Sequence, residues 1–509
     1  MNKKKIKHFI YLSFVLSALH IVNLSAQTAY IHMGTTTDLL NGVTVTWNGQ
    51  GTADSIKWGY TPVYEKGKFI AASRASVTFT GNWFSYNFGN GITPSAILYY
   101  QILDSHTATW GGQQKYHTAA AIPSDTSTTD FSFAAAGDSR DATTEFTTVA
   151  NSMYAKKPDF AIFVGDLTHH GNVASEWTNW FNSADSLVYN KVVFHCEGNH
   201  DAEAPANYLN NFDLPTNGDG SDYNFYSYTY GNTLFIVLNF EYGNVAPANV
   251  GDWVAQTNWM NNLLSNVDNT KIKWKVVSWH EPYYTAGGSS GDMSYGGWWP
   301  LFDKYGVDLV INCHDHDYQR FNPINQSVST TAPVSTYGSG PTEGRCEIVC
   351  GGAGAPLDKQ VDFSDQFLAT FQSVNNFVMF NETGCENGIT KMHITAYNDA
   401  GTSIIDSVTL VKWCNGPAGI ATQVATTNSI NVVPNPASEE ITLNYTSQQT
   451  GDALITITDA QGKTVKTYNA RKDAPLLEYK CNVSGFVKGV YILSVTMGSQ
   501  RDEVKVVVN

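Results

Sequence analysis

Apolar and polar residues alternate at every second position near both ends of the chain. Residues 43–47 (VTVTW) and 97–103 show this pattern near the N-terminus, where glycine and asparagine turns separate short segments. It returns near the C-terminus in residues 441–445, 453–458, 490–495 and 504–508. A period of two is typical of strands with one buried face. The pattern therefore predicts an all-β sandwich at each end of the chain.

The middle of the chain follows a different pattern. Between residues 131 and 412, apolar runs of strand length alternate with helix-compatible segments such as 145–156 and 258–266. This alternation predicts an α/β region. Small and polar residues at 120–130 and 413–428 indicate linkers. We expect domains at 27–122, 130–412 and 429–509.

The first 26 residues have the features of a signal peptide. Four lysines occur among the first seven residues, an apolar stretch runs from about 9 to 24, and Ala26 precedes Gln27. A membrane anchor is the alternative, but His20 and Asn23 interrupt the apolar run. No later segment has 18 uninterrupted apolar residues, so we expect no transmembrane helix.

Composition and cysteine content narrow the possibilities. Hydrophobic residues make up 42% and charged residues 15% of the chain, as in globular proteins. A net charge of −15 argues against nucleic acid or an anionic membrane as the main partner. Export permits disulfides, but seven cysteines cannot all pair within one chain. Cys346 and Cys350 lie too far apart along one strand, whereas Cys385 with Cys414 is one possible pair.

Polar residues follow five apolar strand candidates of the middle region, usually beside glycine. The strand candidates are residues 131–136, 160–164, 192–194, 274–279 and 307–311. The polar residues after them are Asp138, Asp166, Asn199, His200, His280, His314 and His316. Because ligands of α/β sheets gather at the carboxyl ends of strands, we expect these groups to meet at one sheet edge. Any one of them could simply cap a turn, but five in this order predict a site for divalent or trivalent metal ions.

These motifs resemble those of the calcineurin-like metallophosphoesterases. The flanking stretches 280–284 (HEPYY), 313–320 (CHDHDYQR) and 347–354 (EIVCGGAG) narrow the resemblance to the purple acid phosphatases. It extends over residues 28–412, because the N-terminal sandwich resembles their fibronectin-like domain. The implied fold is a central α/β metallophosphoesterase sandwich flanked by two all-β sandwich domains.

The resemblance implies two metal ions, of iron, zinc or manganese, bridged by Asp166. Asp138 and His316 would hold the first ion, and Asn199, His280 and His314 the second. A hydroxide held between the ions would attack phosphorus, so that no serine or cysteine nucleophile is needed. His200 would stabilise the transition state or protonate the leaving oxygen, and Asp201 would orient His200.

Several positions depart from the family pattern. The tyrosine that gives the family its colour lies three residues after the bridging aspartate, where this chain has His169; His170 is a nearby alternative. The departure implies a centre without the purple band and with a divalent first ion. Arg140 replaces a glycine and would touch phosphate or pair with Asp141. Cys313 replaces another glycine and is either a ligand or a buried structural thiol.

The implied activity is that of a phosphomonoesterase acting on a small phosphorylated substrate. A phosphodiesterase or nucleotidase on the same fold is the alternative, and loops such as 281–300 would decide between them. The plant enzymes carry a histidine pair where residues 286–291 read AGGSSG, so a different leaving-group preference is expected. A catalytically dead surface binding protein is the third possibility.

The C-terminal segment has a resemblance of its own. Residues 433–436 (VPNP), 458–463 (TDAQGK) and 489–493 (GVYIL) resemble the type A sorting domain of type IX secretion. An ordinary carbohydrate-binding sandwich is the alternative. The resemblance implies recognition by the secretion machinery and a protein that is secreted or held at the cell surface.

Overall fold

The computed structural model divides the chain into two compact units, Met1–Gly416 and Pro417–Asn509. The residues it describes are 28–120, 130–140, 143–218, 225–241, 250–288, 298–327, 333–334, 337, 343–362, 365–386, 388–414, 429–447, 451–459, 463–472, 476–497 and 500–509. The predicted signal peptide and most of both predicted linkers lie outside these residues. Among the described helices, none combines the length and the apolar character needed to span a bilayer.

The first part of the larger unit consists of two antiparallel sheets. Their strands are β1 (Ala29–Thr35), β2 (Val43–Gly49), β3 (Ser55–Gly59), β4 (Gly67–Ile70), β5 (Ala72–Ala75), β6 (Asn82–Asn87), β7 (Ile97–Asp104), β8 (Thr109–Trp110) and β9 (Gln114–His117). One sheet has the order β1-β2-β6-β5, and the other has the order β4-β3-β7-β8 with β9 beside β7. The predicted period of two is confirmed, since buried and less buried residues alternate along β7. The likeness to a fibronectin-like domain stays a prediction.

In its described residues, the second part of this unit contains two further sheets and five α-helices. Its strands are β10 (Phe131–Ala136), β11 (Phe160–Val164), β12 (Val193–Cys196), β13 (Tyr226–Tyr230), β14 (Thr233–Val237), β15 (Trp274–Ser278), β16 (Leu309–Asn312), β17 (Tyr318–Phe321), β18 (Cys346–Cys350), β19 (Leu368–Gln372), β20 (Asn376–Glu386), β21 (Ile389–Asn398) and β22 (Ile404–Trp413). Its helices are α1 (Thr143–Ala155), α2 (Ala174–Val188), α3 (Pro205–Asn211), α4 (Val250–Ser265) and α5 (Trp299–Tyr305). The five strand candidates and both helix candidates of the sequence are confirmed.

The five strands do not share one sheet, and the expectation of a single sheet edge is wrong in this respect. The first sheet has the order β12-β11-β10-β20-β21-β22, and the second has β13-β14-β15-β16-β18-β17-β19. The site therefore receives three strand ends from one sheet and two from the other. Aromatic rings join the sheets: Phe133 stacks on Phe380 at a centroid distance of 4.5 Å and meets Phe235 of the second sheet edge-on at 5.1 Å.

Polar contacts fasten the N-terminal sheets to the α/β region. The guanidinium of Arg74 pairs with Asp213 at 2.9 Å, and Thr46 donates a hydrogen bond to the same carboxylate. Tyr30 and Thr178 share a hydrogen bond of 3.0 Å. Because Asp213 is only 8% exposed, its charge is compensated inside the contact.

The smaller unit is built from strands in its described residues. They are β23 (Ser429–Val433), β24 (Glu440–Thr446), β25 (Gly451–Asp459), β26 (Thr464–Lys472), β27 (Leu476–Asn482), β28 (Gly489–Met497) and β29 (Gln500–Val508). They form sheets of order β23-β24-β27 and β26-β25-β28-β29. The predicted all-β character of this segment is confirmed.

One disulfide joins Cys385 at the end of β20 to Cys414 just after β22. The possible pair of the sequence analysis is thus formed. The other cysteines are buried free thiols: Cys196, Cys313, Cys346, Cys350 and Cys481.

Candidate metal centre

Three of the predicted ligands have an unusual backbone conformation. Asp138, Asp166 and His314 have φ angles of +60°, +52° and +70°. Residues other than glycine rarely adopt this left-handed region, and such strain is concentrated at functional sites. Backbone bonds hold the conformation here: the Asp138 amide donates to the Gly165 carbonyl at 3.1 Å. The loops therefore turn sharply enough to aim each side chain at one point.

Glycines allow loops from the two sheets to approach closely. At Gly165, where φ is +85°, an added Cβ would lie 2.3 Å from Nδ1 of His280. At Gly198, an added Cβ would lie 2.3 Å from Oδ1 of Asp166. Both glycines are therefore required by the packing of the site, and Gly165 also by its positive φ.

Asp138, Asp166 and His280 form the buried centre of the site. One ligand atom from each lies within 4.8 Å of the others. Nε2 of His280 is 3.3 Å from Oδ1 of Asp166 and 3.2 Å from Oδ1 of Asn199. Nδ1 of His314 is 3.1 Å from that same amide oxygen. The structure thus brings together the group of ligands predicted for the second metal ion.

The histidine tautomers leave acceptor atoms facing one another. Nδ1 of His280 lies 2.8 Å from the carbonyl of Val164, and Nδ1 of His316 lies 2.7 Å from that of Pro356. Each Nδ1 must carry a proton to donate these bonds. In the neutral ring the other nitrogen, Nε2, is then an acceptor, and it faces the site. Among the described residues, neither Nε2 of His316 nor Oδ1 of Asp138 has a hydrogen-bond partner, and these two buried atoms lie 3.6 Å apart. Converging lone pairs of this kind fit metal cations.

The electrostatics also require positive charge at the centre. Burial raises the pKa of Asp138 well above its usual range, and Asp166 adds to this. Burial opposes ionisation of Asp166 too, but His280, His200 and Arg140 together lower its pKa. Against burial, the two carboxylates raise the pKa of His280 well above its usual value. A bound metal cation would supply this positive charge.

His200 lies beside this centre, and its environment corrects the role expected for Asp201. Nδ1 of His200 donates to the carbonyl of His169 at 2.6 Å, so that carbonyl orients the ring. The Asp201 carboxylate instead accepts hydrogen bonds from the amides of Leu167, Thr168 and Gly198, each at 3.1 Å. Asp201 therefore holds two ligand-bearing loops together, and the expectation that it orients His200 is wrong.

Replacing Asp201 with alanine should destabilise the larger unit by about 3 kcal/mol, because buried amide donors would lose their acceptor. Chemical denaturation of the full chain measures this change. Asp185→Ala, at an exposed position of α2, is the matched control and should shift the free energy of unfolding by less than about 0.5 kcal/mol. Equal stability of the two variants would contradict this assignment.

Arg140 contacts the predicted bridging residue. Its Nε and Nη2 lie 3.3 and 3.2 Å from Oδ2 of Asp166, and its amide donates to the Asp166 carbonyl. Asp141, the alternative partner, lies outside the described residues. Arg140 is thus at the site, and its contact with phosphate stays a prediction.

The remaining candidates lie at the margin of the site. The ring of His169 stacks on His170 at 4.3 Å and lies 5.1 Å from that of His200. Its role as a ligand stays a prediction. The thiol of Cys313 is buried 3.7 Å from that of Cys350, which favours a structural thiol.

The sequence analysis missed the residues that orient His316. Oδ2 of Asp358 accepts the amide of His316 at 2.9 Å, and Pro356 supplies the carbonyl for its ring. Both follow the glycine-rich stretch 351–354, and that stretch was the only signal that could have pointed to them.

Comparison with known proteins gives two family matches. Residues 125–318 match the calcineurin-like phosphoesterase model, and residues 431–509 match the secretion system C-terminal sorting domain. The two matches confirm the families expected for the middle and the end of the chain.

Several similar proteins are acid phosphatases by name. Purple acid phosphatase 15 of Arabidopsis thaliana is 25% identical over 279 residues, which is 48% of this chain and 51% of that protein. Acid phosphatase A of Cryphonectria parasitica is 40% identical over 93 residues, or 18% of each chain. The match spans about half the length of the first of these relatives and less than a fifth of the second. A purple acid phosphatase from yellow lupin (Lupinus luteus) seeds has the same fold, with a TM-score of 0.61 at 17% identity over 76% of this chain and 75% of that one.

Proposed function

Because this chain contains a calcineurin-like phosphoesterase domain and a C-terminal type IX sorting domain, we propose that it is a secreted, metal-dependent phosphomonoesterase. The observation that carries the proposal is the convergence of buried and half-buried acceptor atoms from Asp138, Asp166, Asn199 and three histidines. Metal cations fit such a set of converging carboxylate, amide and imidazole ligands.

The residues present fit two metal ions, for which iron, zinc or manganese are candidates. Asp138 and His316 would hold one ion. The other ion would be held by Asn199, His280 and His314, and Asp166 would bind both ions. His169 would complete the first set. Ions bound there would supply Lewis-acid activation of water and of the phosphoryl group.

The protein groups around the centre have separate tasks. His200 keeps one proton on Nδ1 for the His169 carbonyl, so its Nε2 is the atom that can deliver a proton to the leaving oxygen. Burial lowers the pKa of His200, although Asp166 opposes this shift. Arg140, beside Asp166, would bind a phosphate oxygen with its remaining donors.

Steady-state kinetics on nitrophenyl phosphate and bis-nitrophenyl phosphate test the proposal. We expect kcat/KM for the monoester to exceed that for the diester by at least about tenfold. The reverse preference would favour a phosphodiesterase or nucleotidase on the same ligand set. The absence of activity on both esters, with well under one metal ion per chain after reconstitution, would favour a surface binding protein.

The metal-loaded protein should show no strong visible absorption band, because His169 occupies the position of the colour-giving tyrosine. A neutral nitrogen ligand favours a divalent over a ferric first ion. An absorption spectrum after reconstitution with iron measures this directly, and the His169→Tyr variant is the positive control. A tyrosinate–iron band in the unmodified protein would contradict the substitution argument.

The proposed function includes export of the enzyme from the cell. The sorting domain would direct the chain to the secretion machinery after removal of residues 1–26, and the enzyme would act outside the cell or at its surface. Its substrate would then be a small phosphorylated compound present there.

A further inference from the structure

One outer sheet face of the N-terminal region concentrates lysines and aromatic rings. In β7, Leu98, Tyr100 and Ile102 are at most 2% exposed, so Tyr99 lies on the opposite, outer face. Strand register places the neighbouring side chains on that same face, because Lys57 faces Lys68 across β3 and β4, and Tyr99 faces Lys115 across β7 and β9. We call this surface the lysine–aromatic face; its residues are Lys57, Lys68, Lys115, Tyr64, Tyr99 and Trp110.

The ammonium groups of this face lie over aromatic rings. Nζ of Lys57 is 4.3 Å from the ring centroid of Trp110 and 4.7 Å from that of Tyr64. Nζ of Lys68 is 5.7 Å from Trp110, and Nζ of Lys115 is 5.5 Å from Tyr99. These cation–π contacts hold the charges at defined positions while all of these side chains remain partly or fully exposed.

No carboxylate within the described part of the chain forms an ion pair with Lys57, Lys68 or Lys115. Lys57 and Lys68 are directly opposite each other, an arrangement that is unfavourable for like charges. Residues 28–120 contain five basic and four acidic residues, in a chain whose net charge is −15. The face is thus a local cationic surface on an acidic protein, and its charge is left for a partner to neutralise.

We propose that the lysine–aromatic face binds an acidic polysaccharide. The half-exposed aromatic rings offer apolar surface against which pyranose rings can pack, and the lysines over them attract carboxylate or phosphate groups. The groups lie on successive strands about 4.8 Å apart, so an extended polymer can engage several of them at once. This binding would be separate from the phosphoesterase site.

The destination of the protein favours a polysaccharide over a nucleic acid. The proposed export would bring this face outside the cell, where polysaccharides are common polymers. The net charge of −15 repels both kinds of polyanion and does not discriminate between them, and single-stranded nucleic acid could use the same rings and lysines. Nucleic-acid binding is therefore the competing outcome in the experiment.

Affinity electrophoresis of the full chain in gels containing polygalacturonate tests the proposal, with dextran as the neutral polymer and oligo-dT as the nucleic acid. The unmodified protein should be retarded by polygalacturonate, and added salt should weaken the effect. The triple variant Lys57→Gln, Lys68→Gln, Lys115→Gln should raise the Kd at least about tenfold. Trp110→Ala should also weaken binding, without any change in net charge.

The matched control is the triple variant Lys271→Gln, Lys304→Gln, Lys391→Gln, which removes three exposed lysines from the α/β region. Its affinity should stay within about twofold of the unmodified protein, and all variants should hydrolyse nitrophenyl phosphate at the unmodified rate. The rate of nitrophenyl phosphate hydrolysis separates failure of this proposal from failure of the proposed function. Equal retardation by dextran, equal loss in both triple variants, or tighter binding of oligo-dT would overturn it.

Discussion

Replacing Asp166 with asparagine should lower kcat/KM for the preferred ester at least about 10³-fold, equivalent to about 4 kcal/mol. The change keeps the size of the side chain and removes a fully buried negative charge. This carboxylate is the group that faces His280 through Oδ1 and Arg140 through Oδ2. Steady-state kinetics and metal analysis of the purified variant measure the loss.

A matched control separates the effect of the lost charge on activity from an effect on folding. Asp185→Asn makes the same chemical change at an exposed position and should leave activity and metal content as they are. Asp166→Asn should bind fewer than two ions per chain, because the shared anionic ligand is gone. Unmodified activity in this variant would refute the site assignment.

Replacing His200 with alanine should reduce kcat about 10²- to 10⁴-fold with little change in metal content. The ring would be lost, but the backbone amide of residue 200 would still donate to Oδ1 of Asp166. The ligand therefore keeps its position while the proton carried at Nε2 disappears. Kinetics and metal analysis on the same preparation distinguish the two effects.

His106→Ala, on the exposed surface of the N-terminal sheets, is the control for removing an imidazole. A raised KM with unchanged kcat in His200→Ala would show that the ring only binds substrate. Loss of metal together with activity would show instead that it supports the ligands.

The aspartates and histidines of the centre could be predicted from the sequence because each follows directly on a short buried strand. Asp138 and Asp166 come two residues after β10 and β11, so little chain separates the pattern from the site. Because the ligand lies only two residues beyond the end of the strand, the position of the strand largely determines the position of the ligand side chain.

The pairing of strands that lie far apart in the sequence could not be predicted in this way. Periodicity along β10 does not specify its neighbour, and that neighbour is β20, more than 200 residues later. The division of the five strands between two sheets follows from such pairings. Likewise, the carbonyl of His169 that orients His200 is a backbone atom and leaves no signature in residue type.

The disulfide between Cys385 and Cys414 has a mechanical consequence. Cys414 follows β22, the edge strand of its sheet, and the larger unit ends at Gly416. Tension applied from the C-terminal side would otherwise peel β22 from β21 one hydrogen bond at a time. The covalent link passes that force to β20, which is bonded on both sides by β10 and β21. A protein pulled by its tail during export, or held by it in a flow, would carry the load in the interior of its sheet.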